Sequence, residues 1–164
     1  LVVGNECYEN EAAGIGQQSG AESLLVGNRV HHNKKAGIGF DECEGGRALV
    51  FGNKVLDNEL VAVGVQSGWK VLLVGNDLAR DGGLPPLVAV SKGAEADVVG
   101  NTLRGSGVAG VRTAGVVRVV NNTFECPTLR KVGPPQFAVW GLPGSDVLLA
   151  GNTINGWRHG LLCD

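Results

Sequence analysis

Methionine is absent from this 164-residue chain, and aromatic residues make up only 5% of it. A core built on large side chains is therefore excluded. Hydrophobic residues still reach 43%, so small aliphatic side chains must do the packing. No block of single-sign charge occurs and the formal net charge is −2, which predicts neither nucleic acid nor an anionic membrane surface as a partner. No apolar run approaches the length of a spanning helix, so no membrane insertion is expected, and no signal-peptide pattern opens the chain. The four cysteines, Cys7, Cys43, Cys126 and Cys163, form no CxxC pair. Their wide spacing predicts reduced thiols and no zinc site, with Cys7 and Cys163 at inward positions. Because it lacks methionine and opens inside a repeat, the chain is expected to be a piece of a longer protein, with one domain spanning 1–164.

What is abundant is glycine, 27 residues of it, and repetition. "LVVGNECYENEAAGIGQ" is followed by the near-copy "LLVGNRVHHNKKAGIGF", residues 24–40. The motif's asparagine recurs as Asn5, Asn28, Asn53, Asn76, Asn101, Asn122 and Asn152, at steps of 23, 25, 23, 25, 21 and 30. Three residues before each stands an aliphatic: Val2, Leu25, Val50, Leu73, Val98, Val119, Leu149. Two residues after each comes Cys7, Val30, Val55, Leu78, Leu103, Phe124 or Ile154. A third apolar column follows about ten residues on: Ile15, Ile38, Val63, Val88, Val111, Val139, Leu161. Three inward columns separated by turns describe one coil of a stacked solenoid.

The segments inside each coil are short, Val-rich and bounded by Gly and Asn, which predicts strands. "ALVFGNKV" fits a leucine-rich repeat, but Leu is too sparse, and second strand-like pieces such as "VAVGVQ" and "AGVRT" stand where that fold needs a helix or an extended arm. The "V-x-G-N-x-V…N…G-I" pattern, over nearly the whole chain, resembles the right-handed parallel β-helix repeat of the pectate-lyase-like superfamily, including its nitrous-oxide-reductase maturation and carbohydrate-binding types. The resemblance implies an all-β, right-handed parallel β-helix of about seven coils. It leaves function open, because that superfamily holds lyases, hydrolases, epimerases, tailspikes and non-catalytic modules.

In such a solenoid the recurrent Asn residues form a ladder of side-chain amides, one rung per coil, and Gly-Asn supplies a left-handed bend. A second ladder is expected at Asn10, Asn33, Asn58, Asp81 and Ser106. Charges change sign between coils: Glu9, His32, Asp57, Arg80 in one column, Glu11, Lys34, Glu59 in another, and Glu22 with Arg47 and Lys70 with Glu95 in a third. Opposite charges one rung apart attract modestly, which sets register. His31 and His32 are expected to point to opposite faces, with no metal site. No cofactor is expected.

Function on a solenoid concentrates where the repeat is interrupted. Two insertions, "DGGLPP" at 81–86 and "CPTLRKVGPPQ" at 126–136, occupy the same turn two coils apart. Beside the third inward column the outward residues read Gly16, Gly39, Gly64, Ala89, Arg112, Trp140, Leu162. An aromatic plane next to a cation suits a pyranose face and a uronate carboxylate. Arg130, Lys131, Arg158 and His159 extend this candidate patch, which predicts an acidic polysaccharide as partner; packing of Trp140 under the 126–136 loop is the alternative. Lyases and hydrolases of the superfamily need clustered carboxylates, and here only Asp41, Glu42 and Asp164 lie on the third-column strands. Catalysis is not favoured for this chain, though part of a polysaccharide lyase or glycoside hydrolase stays open. The leading expectation is a polysaccharide-binding module, secreted or periplasmic; the alternative is a ligand-free oligomeric scaffold. An outward apolar face through Leu49, Phe51, Leu72 and Val74 predicts a homo-oligomer or packing against another domain.

Overall fold

The computed structural model describes residues 1–20, 22–105, 107–127 and 136–163. Among these residues the regular structure is all strand, with no helix. The strands stack into three parallel sheets of seven. Sheet A holds Val2–Val3, Glu22–Val26, Gly46–Phe51, Trp69–Val74, Glu95–Val99, Val116–Val120 and Asp146–Ala150. Sheet B runs from Glu6–Tyr8 through Lys54–Leu56 to Thr153–Asn155, and sheet C from Ile15–Gln17 through Val63–Val65 to His159–Cys163. The chain is an all-β parallel solenoid. It makes about six turns, where the sequence predicts seven coils. Seven recurring Asn residues mark seven rungs, and a turn is complete only when the chain returns to the same sheet.

Sequence spacing becomes register directly. Leu25 pairs with Val50, and Val50 with Leu73. Val30 pairs with Val55, Val55 with Leu78, and Ile38 with Val63. These columns are sealed from solvent in the middle rungs. The interior is narrow and filled by Val and Leu, with Phe40, Trp69 and Phe124 where a larger side chain fits. Trp69 is fully buried, and its indole N–H donates to the Asp41 carbonyl at 2.6 Å. Cys7 packs against the core, Cys163 is exposed on the last rung, and all four cysteines are free thiols.

The Asn ladder is continuous. Each Oδ1 accepts the backbone N–H and the Nδ2–H of the Asn one rung before it: Asn28 from Asn5, Asn53 from Asn28, Asn76 from Asn53, Asn101 from Asn76, Asn122 from Asn101 and Asn152 from Asn122. The spare amide proton goes to a backbone carbonyl, as from Asn53 to Leu25 at 3.0 Å. Buried turns thereby leave few polar groups unpaired. The left-handed residue is the one before the ladder Asn. Gly52 has φ 64°, and in the sixth rung, where the dipeptide is Asn-Asn, Asn121 takes φ 55°. Asn tolerates that region better than other side chains.

The second ladder is shorter than the sequence predicts. Asn10 donates to Asn33 and Asn33 to Asn58, and both links use backbone and side-chain donors. Asp81 does not extend it; it is exposed, and its N–H donates to Asp57 Oδ1 at 2.9 Å. A carboxylate has no proton to pass to the next rung or to a buried carbonyl, so burial there would go uncompensated. Ser106, the last expected member, lies outside the described residues.

Arg80 is the related correction. It is only 6% exposed, not a solvated member of a charge column. Its guanidinium donates to the carbonyls of Leu60, Gly82 and Pro85, tying the 81–86 insertion to the rung below. Burial lowers its pKa, and Asp57 pulls it back up. The backbone explains the change. Glu9, His32 and Asp57 are left-handed, at φ 55°, 54° and 49°, whereas Arg80 continues the strand Asp77–Arg80. The left-handed turn also brings His31 and His32 together, with Nδ1 atoms 2.9 Å apart. The expectation of opposite faces fails because His32 lies beyond the strand Arg29–His31.

Of the expected opposite-charge neighbours, Lys34 pairs with Glu11 at 3.4 Å and Lys70 with Glu95 at 2.9 Å, whereas Glu22 and Arg47 stand in register without forming an ion pair; Arg118 also pairs with Asp97, at 2.9 Å. Alternation is incomplete, since Arg47 and Lys70 are neighbours in register.

Candidate functional site

Sheet C carries one outward column whose chemistry changes along the solenoid. Gly16 pairs with Gly39, Gly39 with Gly64, Gly64 with Ala89, Ala89 with Arg112 and Arg112 with Trp140. A glycine inside a strand weakens it and needs a reason. Packing gives little reason at the first two. A Cβ on Gly16 would meet nothing within 4 Å, and one on Gly39 would meet only Ala13 and Ala36 at 3.7 and 3.8 Å. At Gly64 the nearest atom would be Val61 Cγ2 at 3.3 Å. None of the three has the left-handed φ that calls for glycine. Contrast Gly46, where a Cβ would come within 2.5 Å of the Trp69 ring. The glycines of sheet C thus leave a bare backbone floor that the fold itself does not demand.

One edge of this floor is polar. Gln18, Asp41 and Gln66 stand on successive rungs two residues beyond Gly16, Gly39 and Gly64, and all three are exposed. Gln18 Nε2 donates to Asp41 Oδ2 at 3.0 Å and Gln66 Nε2 to Asp41 Oδ1 at 3.4 Å. The three form a short amide–carboxylate–amide row, which holds the Asp41 carboxylate in place.

At the far end of the floor the Arg112 guanidinium carbon lies 5.3 Å from the Trp140 ring centroid. That is cation–π distance. Arg112 is exposed and Trp140 half-buried, its ring 5.6 Å from that of Phe137. The structure thus brings Arg112 and Trp140 together, as register predicts. His159 pairs with Phe137 instead and stacks on it at 4.9 Å. Arg158, before it, is half-buried. Arg130 and Lys131 lie outside the described residues. Sequence reasoning passed over the Gln18–Asp41–Gln66 row. Its signal was the recurrence of Gln, Asp and Gln three residues after the inward Ile15, Ile38 and Val63.

Two concave regions lie elsewhere. A groove of about 720 Å³ runs over sheet A, with Leu24, Leu49 and Leu72 on its floor and Arg47 and Lys70 along its side. A cleft of about 390 Å³ is lined by Asp57, Arg80, Asp81, Arg104 and Pro127, so both insertions begin at its wall. Among the described residues no three His, Cys, Asp or Glu side chains gather as metal ligands. Compared with known proteins, the chain matches no family model, no curated protein and no solved structure.

Proposed function

We propose that this solenoid is a polysaccharide-binding module that takes an acidic glycan along the outward face of sheet C. The observation that carries the reading is the column Gly16–Gly39–Gly64–Ala89 leading to Arg112 and Trp140. It combines a floor kept bare without strong packing need, a fixed cation and an aromatic plane. Sugar rings lie flat on such a floor, and a uronate carboxylate accepts from the Arg112 fork in a charge-assisted pair. Hydroxyls find acceptors and donors in the Gln18–Asp41–Gln66 row. From Gly16 to Arg112 the floor spans four rung steps, or about 19 Å at the usual strand spacing. The resemblance of the repeat's sequence pattern to the pectate-lyase-like superfamily points to the same substrate class and to a secreted or periplasmic setting. Held by the two amides, the exposed Asp41 carboxylate keeps lone pairs free to accept from sugar hydroxyls.

The test is calorimetric titration with uronate oligosaccharides and their neutral counterparts. Arg112→Ala should remove the preference for the acidic series and much of the salt dependence, because only that contact is ionic. Trp140→Ala should weaken both series. No heat of binding to the unmodified chain from any of several uronates would end this reading and leave a ligand-free scaffold.

A further inference from the structure

Sheet A differs from the other two sheets in what it turns outward. Its second to fourth rungs expose two adjoining apolar columns, Leu24, Leu49, Leu72 and Val26, Phe51, Val74. Phe51 is 49% and Leu72 39% exposed. In sheet B one matching column is charged, at Glu6, Arg29 and Lys54, and the other is mixed, at Tyr8, His31 and Leu56. Apolar columns on adjacent rungs make a continuous patch of the kind that marks an interaction surface. Along one edge runs a column whose signs do not alternate: Glu22, Arg47, Lys70, Glu95.

We infer that sheet A is an isologous interface that takes a second copy of this chain, related by a two-fold axis parallel to the strands at the rung Gly46–Phe51. This rung is the middle of the three apolar ones, and a shift of half a rung toward Glu22, which would oppose Glu22 to Arg47, shortens the overlap from five rungs to four. A two-fold at that rung reverses the rung order, so Leu49 faces Leu49, Leu24 faces Leu72 and Phe51 faces Phe51 across the axis. Glu22 of each copy then meets Lys70 of the other. Moving the axis half a rung toward Lys70 would instead oppose Glu22 to Glu95 and Arg47 to Lys70, both like-charge contacts. In the favoured register the like pair Arg47–Arg47 stands at the rim, where the exposed Arg47 can turn to solvent.

Size sets the strength. Five overlapping rungs, each about five residues wide, measure roughly 24 by 16 Å, or roughly 400 Å² per copy. That falls below the standard size of a permanent interface and within the range of reversible ones. The dimer is therefore a weak one, dissociating in the micromolar range or above. It does not depend on the glycan reading, since sheets A and C are different faces.

Sedimentation velocity across a concentration series, up to about 1 mM, reads the claim. The unmodified chain should shift reversibly from monomer to dimer. Phe51→Lys replaces an exposed side chain, so circular dichroism should stay unchanged while the dimer is lost. Glu22→Lys and Lys70→Glu should each raise the dissociation constant several-fold, and the double reversal should restore it to within about twofold. A chain that stays monomeric throughout would overturn the interface. So would association that Phe51→Lys leaves untouched, which would mark end-to-end stacking through strand edges. A double reversal no tighter than either single change would overturn the register.

Discussion

Asn53 gives both its backbone N–H and its Nδ2–H to the Oδ1 of Asn76, at 2.9 and 3.0 Å. Its own Oδ1 accepts the same two donors from Asn28. One side chain thus satisfies groups on two neighbouring rungs while fully buried. Asn53→Ala should lower stability by about 1–3 kcal/mol for each buried group left without a partner. Asn5→Ala should cost much less, because Asn5 is exposed and water replaces its partner. Chemical denaturation of the two variants checks the contrast; equal midpoints would show that the ladder is not the source of turn stability.

Arg80 presents a second buried polar network, built on a cation. Arg80→Ala should destabilise by about 2–4 kcal/mol, because it orphans the carbonyls of Leu60, Gly82 and Pro85. Arg80→Lys should fall between, since an ammonium lacks the planar fork that spans three acceptors. Limited proteolysis should then cut within 81–86 faster in both variants, in the same order. Unchanged cutting would detach Arg80 from the loop.

The two kinds of strand glycine separate cleanly by mutation. Gly46→Ala should cost about 1–3 kcal/mol, because its Cβ would sit within 2.5 Å of the Trp69 ring and force repacking. Gly39→Ala should be neutral or stabilise by about 0.5–1 kcal/mol, as it removes backbone freedom without a clash. Thermal melts of both decide whether the floor of sheet C is bare for folding or for something else.

The inward columns and the first ladder were legible because a solenoid repeats its demands at nearly fixed steps. Val50, Leu73 and Asn53 stand where spacing alone puts them. Arg80 was not legible in that way. Its place in the count matches Glu9, His32 and Asp57, and only the switch from a left-handed turn to a continued strand sends its side chain inward. His31 and His32 misled for the converse reason: strand alternation was applied one residue beyond the strand's end. At the candidate site, Arg112 beside Trp140 followed from register. The argument for the glycines did not, because a sequence does not say whether a missing Cβ would have had room.

The central claim is that the floor of sheet C is kept bare for a glycan, and Gly16→Val with Gly39→Val tests it most directly. Neither position is left-handed, and a Cβ at either has ordinary contacts or none. Val also favours strands over Gly. The double variant should therefore melt at or above the temperature of the unmodified chain. Isothermal titration with the tightest-binding uronate oligosaccharide should show affinity reduced at least tenfold, because four added methyl groups stand where the sugar rings lie. A double variant that is equally stable and binds with unchanged affinity would contradict the account.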